Sequence, residues 1–213
     1  MMSNATSCSA WRLYVIIDAA ACGARDLAWV AEQAIRGGAD AIQLRNKTAS
    51  AEALLRSAKQ LLTVTRPAGI PLIINDHADV AVAAGADGVH VGQDDLSVAE
   101  ARKIVGSGKL VGQSTHSLEQ AITADLNHAD YLALGPLYPT PTKPDYPAVG
   151  LPLIREVQLR VDIPIVCIGG IDQTSLSEVV RAGATCVAVV RAVCAASDPA
   201  TASRSLKSLL KIA

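Results

Sequence analysis

Gly38-Ala39-Asp40-Ala41-Ile42-Gln43-Leu44 reads as a helix stop, a tight turn and a short apolar strand. The phrase returns as Gly85-Ala86-Asp87-Gly88-Val89-His90-Val91, as His128-Ala129-Asp130-Tyr131-Leu132-Ala133-Leu134 and as Gly183-Ala184-Thr185-Cys186-Val187-Ala188-Val189. Between consecutive copies there is room for one further strand and two helices. Those strands are Pro71-Leu72-Ile73-Ile74, Leu110-Val111-Gly112-Gln113 and Pro164-Ile165-Val166-Cys167-Ile168, with Leu13-Tyr14-Val15-Ile16-Ile17 as the first. Eight strands result.

The intervening segments carry the helical period. Leu27, Val30, Ala31, Ala34 and Ile35 form one apolar stripe behind the N-cap Asp26, and Leu54, Leu55, Ala58, Leu61 and Leu62 form another. Ser97 with Glu100, Ser117 with Gln120 and Ser175 with Glu178 have capping-box spacing, and Asp198-Pro199 opens the last helix. Strand and helix alternate eight times without a linker, which predicts a parallel sheet closed into a single-domain (β/α)8 barrel; an open doubly wound sheet is the alternative. The domain is expected to span 1–213, structured from about residue 12 to 211, with 1–11 as an N-terminal extension.

Composition agrees. Half of the 213 residues are hydrophobic yet none is Phe, so the core is built of Val, Ile, Leu and Ala, as in strands buried on both faces. The net charge of −1 is spread along the chain, which argues against nucleic acid and membrane surfaces as partners. Cys8, Cys22, Cys167, Cys186 and Cys194 lack metal-ligand spacing and read as small buried hydrophobes. Asp18 interrupts the only apolar stretch near the N-terminus, and nothing approaches the length of a membrane span. A cytoplasmic protein is expected, with a homodimer as the macromolecular assembly to consider.

In such a barrel the chemistry sits at the carboxyl ends of the strands. Strand 2 ends in Gln43-Leu44-Arg45-Asn46-Lys47, strand 3 in Asn75-Asp76, and strand 4 runs into Gly92-Gln93-Asp94-Asp95. Strand 5 ends in Gln113-Ser114-Thr115-His116, strand 7 in Gly169-Gly170 and strand 8 in Val190-Arg191. After strand 6 comes Gly135-Pro136-Leu137-Tyr138-Pro139-Thr140-Pro141-Thr142-Lys143-Pro144, whose prolines stiffen the loop and aim Thr140, Thr142 and Lys143 as donors suited to an anion such as phosphate. Seven strands of eight thus end in polar groups. Asp76 and Asp95, from neighbouring strand ends, suit a Mg2+ ion that takes one or two carboxylates plus phosphate oxygens, and Arg45, Lys47 and Lys143 would neutralise the rest of a diphosphate. Taken singly, each aspartate also reads as a helix N-cap, Arg45 and Lys47 as surface ion pairs, and Gly169-Gly170 as an ordinary glycine turn. No acid–base role is assigned to the four histidines: His90 points within the barrel or at its rim, His77 and His128 read as helix or loop surface residues, and His116, near enough to Ser114 to reach the mouth, reads from its helix-start context as a bystander.

These residues resemble the thiamine phosphate synthase family. The resemblance is carried by Gln43 to Lys47, Asn75-Asp76-His77-Ala78-Asp79, Gly85 to Asp95, Ser114-Thr115-His116, Gly135 to Lys143 and Ile168-Gly169-Gly170-Ile171, in order from Tyr14 to about Arg191. It implies a transferase of thiamine biosynthesis with two phosphorylated small-molecule substrates. An aminopyrimidine methyl diphosphate would be coupled to a thiazole ethyl phosphate (the carboxythiazole phosphate), releasing pyrophosphate. Diphosphate leaves first, with Mg2+ on Asp76 and Asp95 as cofactor, and the thiazole nitrogen captures the pyrimidine methylene cation. Arg45, Lys47, Lys143 and Ser114 would be the catalytic set, and with Gln43 and Asn75 they would bind the pyrimidine diphosphate. Thr140, Thr142, Gly170, Val190 and Arg191 would hold the thiazole phosphate. Two positions depart from the family pattern: Asn46 stands where Glu is usual, and Arg191 where Ser is frequent. A thiazole tautomerase-like isomerase of the same barrel type is the alternative, but it tends to lack the complete diphosphate and metal set.

Overall fold

In the computed structural model, which describes residues 8–140 and 147–210, each copy of the repeated phrase delivers a strand into one closed parallel barrel, with strand order following the chain. The elements are β1 (Leu13–Asp18), α1 (Ala19–Cys22), α2 (Leu27–Arg36), β2 (Ala41–Arg45), α3 (Ala51–Thr65), β3 (Leu72–Asn75), α4 (Ala78–Ala84), β4 (Gly88–Val91) and α5 (Val98–Val105). They continue with β5 (Leu110–Thr115), α6 (Leu118–Leu126), β6 (Tyr131–Leu134), α7 (Pro152–Gln158), β7 (Ile165–Ile168), α8 (Leu176–Arg181), β8 (Val187–Val189), α9 (Arg191–Cys194) and α10 (Pro199–Leu210). β8 pairs with β1 through Leu13–Val187 and Val15–Val189, so the open-sheet alternative falls. Among the described residues, no helix is long and apolar enough to cross a membrane.

Side chains alternate along each strand, and this divides the core in two. Leu13, Val15 and Ile17, like Ile42, Leu44, Leu72 and Ile74, pack into the layer between barrel and helices. Tyr14, Ile16, Ala41, Ile73, Tyr131, Val166, Cys186 and Ala188 fill the barrel interior. Trp11 plugs the floor, stacked on Tyr14 at 5.6 Å between ring centroids and edge-on to Tyr131 at 5.3 Å. With Cys8 also buried, the stretch from 8 to 11 packs on the barrel rather than trailing from it. All five cysteines are buried and free, and burial pushes the thiols of Cys8 and Cys167 up to about 12.

The aspartate of the repeated phrase does more than close a turn. Asp40, Asp87 and Asp130 donate their backbone N–H to the carbonyls of Leu13, Leu72 and Val111 at 2.8, 2.9 and 2.8 Å. Their carboxylates accept the N–H of the same three residues at 2.8, 2.9 and 2.6 Å. Each aspartate therefore clips the start of an odd strand to the even strand that follows it. In the fourth copy Thr185 takes this place.

Most predicted caps are present. Asp26 accepts from Trp29 N, Asp198 from Thr201 N, and Ser97 with Glu100 forms the full capping box. Ser117 accepts from Gln120 N, but the Gln120 side chain turns to His116 N instead of closing the box. Ser175 is a correction: its side chain caps no N–H of α8 but accepts Asp172 N at 3.0 Å, while the Asp172 carboxylate takes the N–H groups of Thr174 and Ser175 at 2.8 and 3.1 Å.

Candidate active site

Strand parity decides which residues meet at the mouth. Arg45, Asn75 and Ser114 stand at inward positions on the ends of β2, β3 and β5, with Gln43 and His90 one layer deeper. All five line a cavity of about 510 Å3, within the range of small-ligand sites, at the carboxyl end of the barrel. A hydrogen-bonded chain supports its floor. Ser114 Oγ is 2.9 Å from His90 Nε2, His90 Nδ1 is 3.1 Å from the Tyr131 hydroxyl, and that hydroxyl is 3.0 Å from Tyr14 Oη. Burial raises both phenols above the ordinary tyrosine range, so they stay protonated. Gln43 Nε2 is buried without a hydrogen-bond partner among the described residues, in a side chain on the cavity wall. The amide lies near enough to the Tyr14 hydroxyl to favour its ionised form but forms no geometric hydrogen bond with it, so the donor is open to a ligand acceptor.

Arg45, Lys47 and their carboxylate partners gather on the β1–β3 side. Arg45 is ion-paired with Asp18, at 15% and 6% side-chain exposure, so it is no surface pair. Lys47 Nζ lies 3.6 Å from Asp76 Oδ2 and is 53% exposed, at the rim beside a second cavity of about 270 Å3 that Arg45, Asn46 and Lys47 line. The carboxylates of Asp76 and Asp95 are close enough to interact directly. Burial and the Asp95 carboxylate raise the Asp76 pKa, against the pull of Lys47 and His77. Neither aspartate caps a helix. Asp76 sits at φ 64°, with His77 between it and α4, and Asp95 accepts from Gly92 N while Ser97 caps α5.

Two like charges held together call for a proton or a cation, and the pair fits Mg2+. Among the described residues, no three His, Cys, Asp or Glu side chains form a metal cluster. Two carboxylates plus ligand oxygens are the usual magnesium set.

The opposite wall comes from the loops after β6, β7 and β8. Thr140, Gly170, Val190 and Arg191 line the large cavity. Thr142 and Lys143 lie outside the described residues. Gly169 and Gly170 serve loop packing as well as the cavity. A Cβ on Gly169 would lie 2.4 Å from Pro136 Cα, and one on Gly170 2.6 Å from Tyr138 Cβ. Leu137 N to Ile168 O at 2.8 Å and Tyr138 N to Gly169 O at 3.1 Å zip the two loops together, and the Tyr138 hydroxyl donates to Glu178 at 3.0 Å. The glycine turn and the start of the proline loop at 136–138 form one unit.

Three groups at the site escape a reading by motif. Strand 1 extends one residue further than expected and ends in Asp18, so it too carries a polar group at its carboxyl end. The alternation Tyr14, Ile16, Asp18 was the available signal. His116, read as a bystander, lines the cavity with its Nδ1 on the Gly135 carbonyl. His90 lies inside the barrel as expected, but its bond to Ser114 joins residues 24 apart in sequence, which no local spacing encodes.

A parallel (β/α)8 barrel with a cavity over the carboxyl ends of its strands, apolar in most of its lining and carrying a few placed polar groups, has the architecture of a barrel enzyme. The pattern of the thiamine monophosphate synthase family matches residues 13–193. The thiamine-phosphate synthase of Chloroflexus aurantiacus is 49% identical over 203 residues, 95% of this chain and 94% of that one. That of Shouchella clausii is 47% identical over 197 residues, covering 92% and 94%. The solved structure of a thiamine phosphate pyrophosphorylase from Pyrococcus furiosus superposes with a TM-score of 0.88 at 33% identity, over 96% of this chain and 98% of that one. The chain belongs to the thiamine monophosphate synthase family, and it is an enzyme of the transferase class.

Proposed function

We propose that the chain couples 4-amino-2-methyl-5-(diphosphooxymethyl)pyrimidine with thiazole ethyl phosphate to give thiamine phosphate and pyrophosphate. One observation carries the reading. A single cavity has Gln43, Arg45, Asn75 and Ser114 on one wall and Thr140, Gly170, Val190 and Arg191 on the other. Two walls of donors suit two phosphorylated substrates side by side.

The C–O bond to the diphosphate breaks, its electron pair leaving with the oxygen, and the thiazole nitrogen lone pair closes on the methylene carbon. Such a step needs positioning and charge stabilisation on the leaving group, and no protein nucleophile. His90, the imidazole deepest in the cavity, already has both ring nitrogens engaged. Gln43, with its spare donor, and Asn75 orient the pyrimidine, and Ser114 is held for the substrate by His90. Arg45 and Lys47 stabilise the departing diphosphate, and Lys143 is placed with them by sequence. Thr140, Thr142, the Gly170 amide and the Val190-Arg191 turn grip the thiazole phosphate. Asp76 and Asp95 would hold Mg2+, which supplies Lewis-acid stabilisation of the leaving oxygens. Asn46 lines the small cavity beside Lys47, where a neutral amide leaves the rim more cationic than the family's usual Glu would.

Product formation from both substrates, with and without Mg2+, tests this by chromatography of thiamine phosphate. Magnesium-dependent product is expected. Consumption of the thiazole carboxylate without coupling would move the reading to the isomerase. Asp95→Ala should reduce turnover by more than 100-fold while leaving thiazole phosphate binding within about threefold. Wild-type rate in that variant at limiting Mg2+ would remove Asp95 from the metal site.

A further inference from the structure

We propose that Asp18 is a positioning residue, whose buried carboxylate fixes the Arg45 guanidinium so that its remaining donors face the substrate diphosphate. The inference rests on the reading that a diphosphate binds at Arg45, and it assigns a role to a residue outside the set expected from the family resemblance.

Asp18 and Arg45 are the last residues of neighbouring strands and stand directly opposite in register. Both occupy inward positions by strand parity, so the pair faces the barrel mouth. Asp18 is only 4% exposed, in a place where an unpaired carboxylate would be costly. Its two oxygens have separate duties. Oδ1 accepts Ala21 N at 2.9 Å, which anchors the carboxylate to the start of α1, and Oδ2 takes Arg45 Nη1. A carboxylate fixed through one oxygen is a rigid mount for what binds the other.

Arg45 borders both cavities, the large one with the pyrimidine-side residues and the small one with Lys47. A guanidinium has five N–H donors in a planar fork, and Asp18 engages it at Nη1. The donors beyond that bond are left in a fixed plane between the two cavities. The ion pair is close to neutral as a unit, so its value to an anionic ligand lies in directed hydrogen bonds more than in net charge. Lys47, exposed at the rim, supplies charge without that direction.

The test is calorimetric binding of inorganic pyrophosphate in the presence of Mg2+, alongside steady-state kinetics. Asp18→Asn keeps the size of the side chain and an acceptor for Ala21 N but removes the charge that mounts Arg45. It should weaken pyrophosphate binding about tenfold and lower kcat/KM for the pyrimidine diphosphate at least as much, with the KM for thiazole phosphate unchanged. In an Arg45→Gln background the same substitution should have no further effect, since Asp18 acts through Arg45. Wild-type pyrophosphate affinity in Asp18→Asn would overturn the inference, as would an equal loss in the Arg45→Gln background. If Asp18→Asn does not fold, Asp18→Glu serves. Displacing the carboxylate by one methylene should cost at least threefold in pyrophosphate affinity, and no loss there overturns the inference too. Because calorimetry reads pyrophosphate directly, absence of thiamine phosphate formation would overturn the coupling reaction and leave this comparison intact. A wild-type protein that fails to bind pyrophosphate would overturn both.

Discussion

Tyr131 is the residue on which the cavity floor turns. Its hydroxyl lies between His90 Nδ1 at 3.1 Å and the Tyr14 hydroxyl at 3.0 Å, and its ring meets Trp11 edge-on. Tyr131→Phe keeps the ring and deletes the bridge, leaving two buried polar groups short of a partner at a cost of about 1–3 kcal/mol. For a chain of this size each kcal/mol is roughly 2–4 °C in Tm. His90 also loses the contact that aims it at Ser114, so the KM for the pyrimidine substrate should rise while that for thiazole phosphate stays put. A thermal melt and paired KM measurements check this; an unchanged melting midpoint would mean that the bridge carries no stability. The network explains why the site was only partly legible in the sequence. Gln43, Arg45, Asn75 and Ser114 stand at strand ends and could be read there. The groups behind them, Asp18, His90 and Tyr131, act through contacts between strands, and register is what brings them together.

The strand starts carry the repeat. Asp40, Asp87 and Asp130 make the same pair of bonds to the strand before them, but their surroundings grade their importance. Asp87 accepts from Leu72 N. Asp40 accepts from both Arg12 N and Leu13 N, at the start of the strand that closes the barrel against β8, and is ion-paired with Lys207 of α10. Asp40→Ala should therefore destabilise by more than Asp87→Ala, with about 1–3 kcal/mol for the latter and the upper end or beyond for the former. Urea unfolding of the two variants decides it, and equal midpoints would show that the extra bonds add nothing. At this scale the sequence was most readable, because Gly-Ala-Asp followed by an apolar run repeats the local rule for helix stop and strand start. It was least readable where a cap is made by a different residue from the one that spacing suggests. Asp172 displaces Ser175 because its carboxylate, already inside the turn, reaches two N–H groups at once.

In the whole molecule, chemistry and closure lie at opposite ends of the barrel, as the fold generally arranges them. The strand ends hold Arg45, Asn75 and Ser114, while the strand starts hold Trp11, the aspartate clips and α10. That last helix lies across α2 and β1, and its Lys207 reaches Asp40. The contact depends on the absence of a side chain at Gly37, where a Cβ would lie 2.4 Å from Ser203 Cβ and 2.5 Å from Ala200 O. Gly37 has an ordinary helical φ of −80°, so Gly37→Ala adds no backbone strain and tests the close approach alone. All three atoms met, with Arg204 N at 3.0 Å as the third, belong to the α10 backbone or its first side-chain carbon, and they yield only if the helix lifts from the barrel. Overpacking of this kind costs about 1–3 kcal/mol. The lift also draws Lys207 away from Asp40, loosening the seam where β1 meets β8. The expected result is a Tm lower by several degrees with both KM values unchanged, because the mouth is a strand length away. If Gly37→Ala instead altered KM at an unchanged Tm, the separation of closure from chemistry along the barrel axis would fail for this chain.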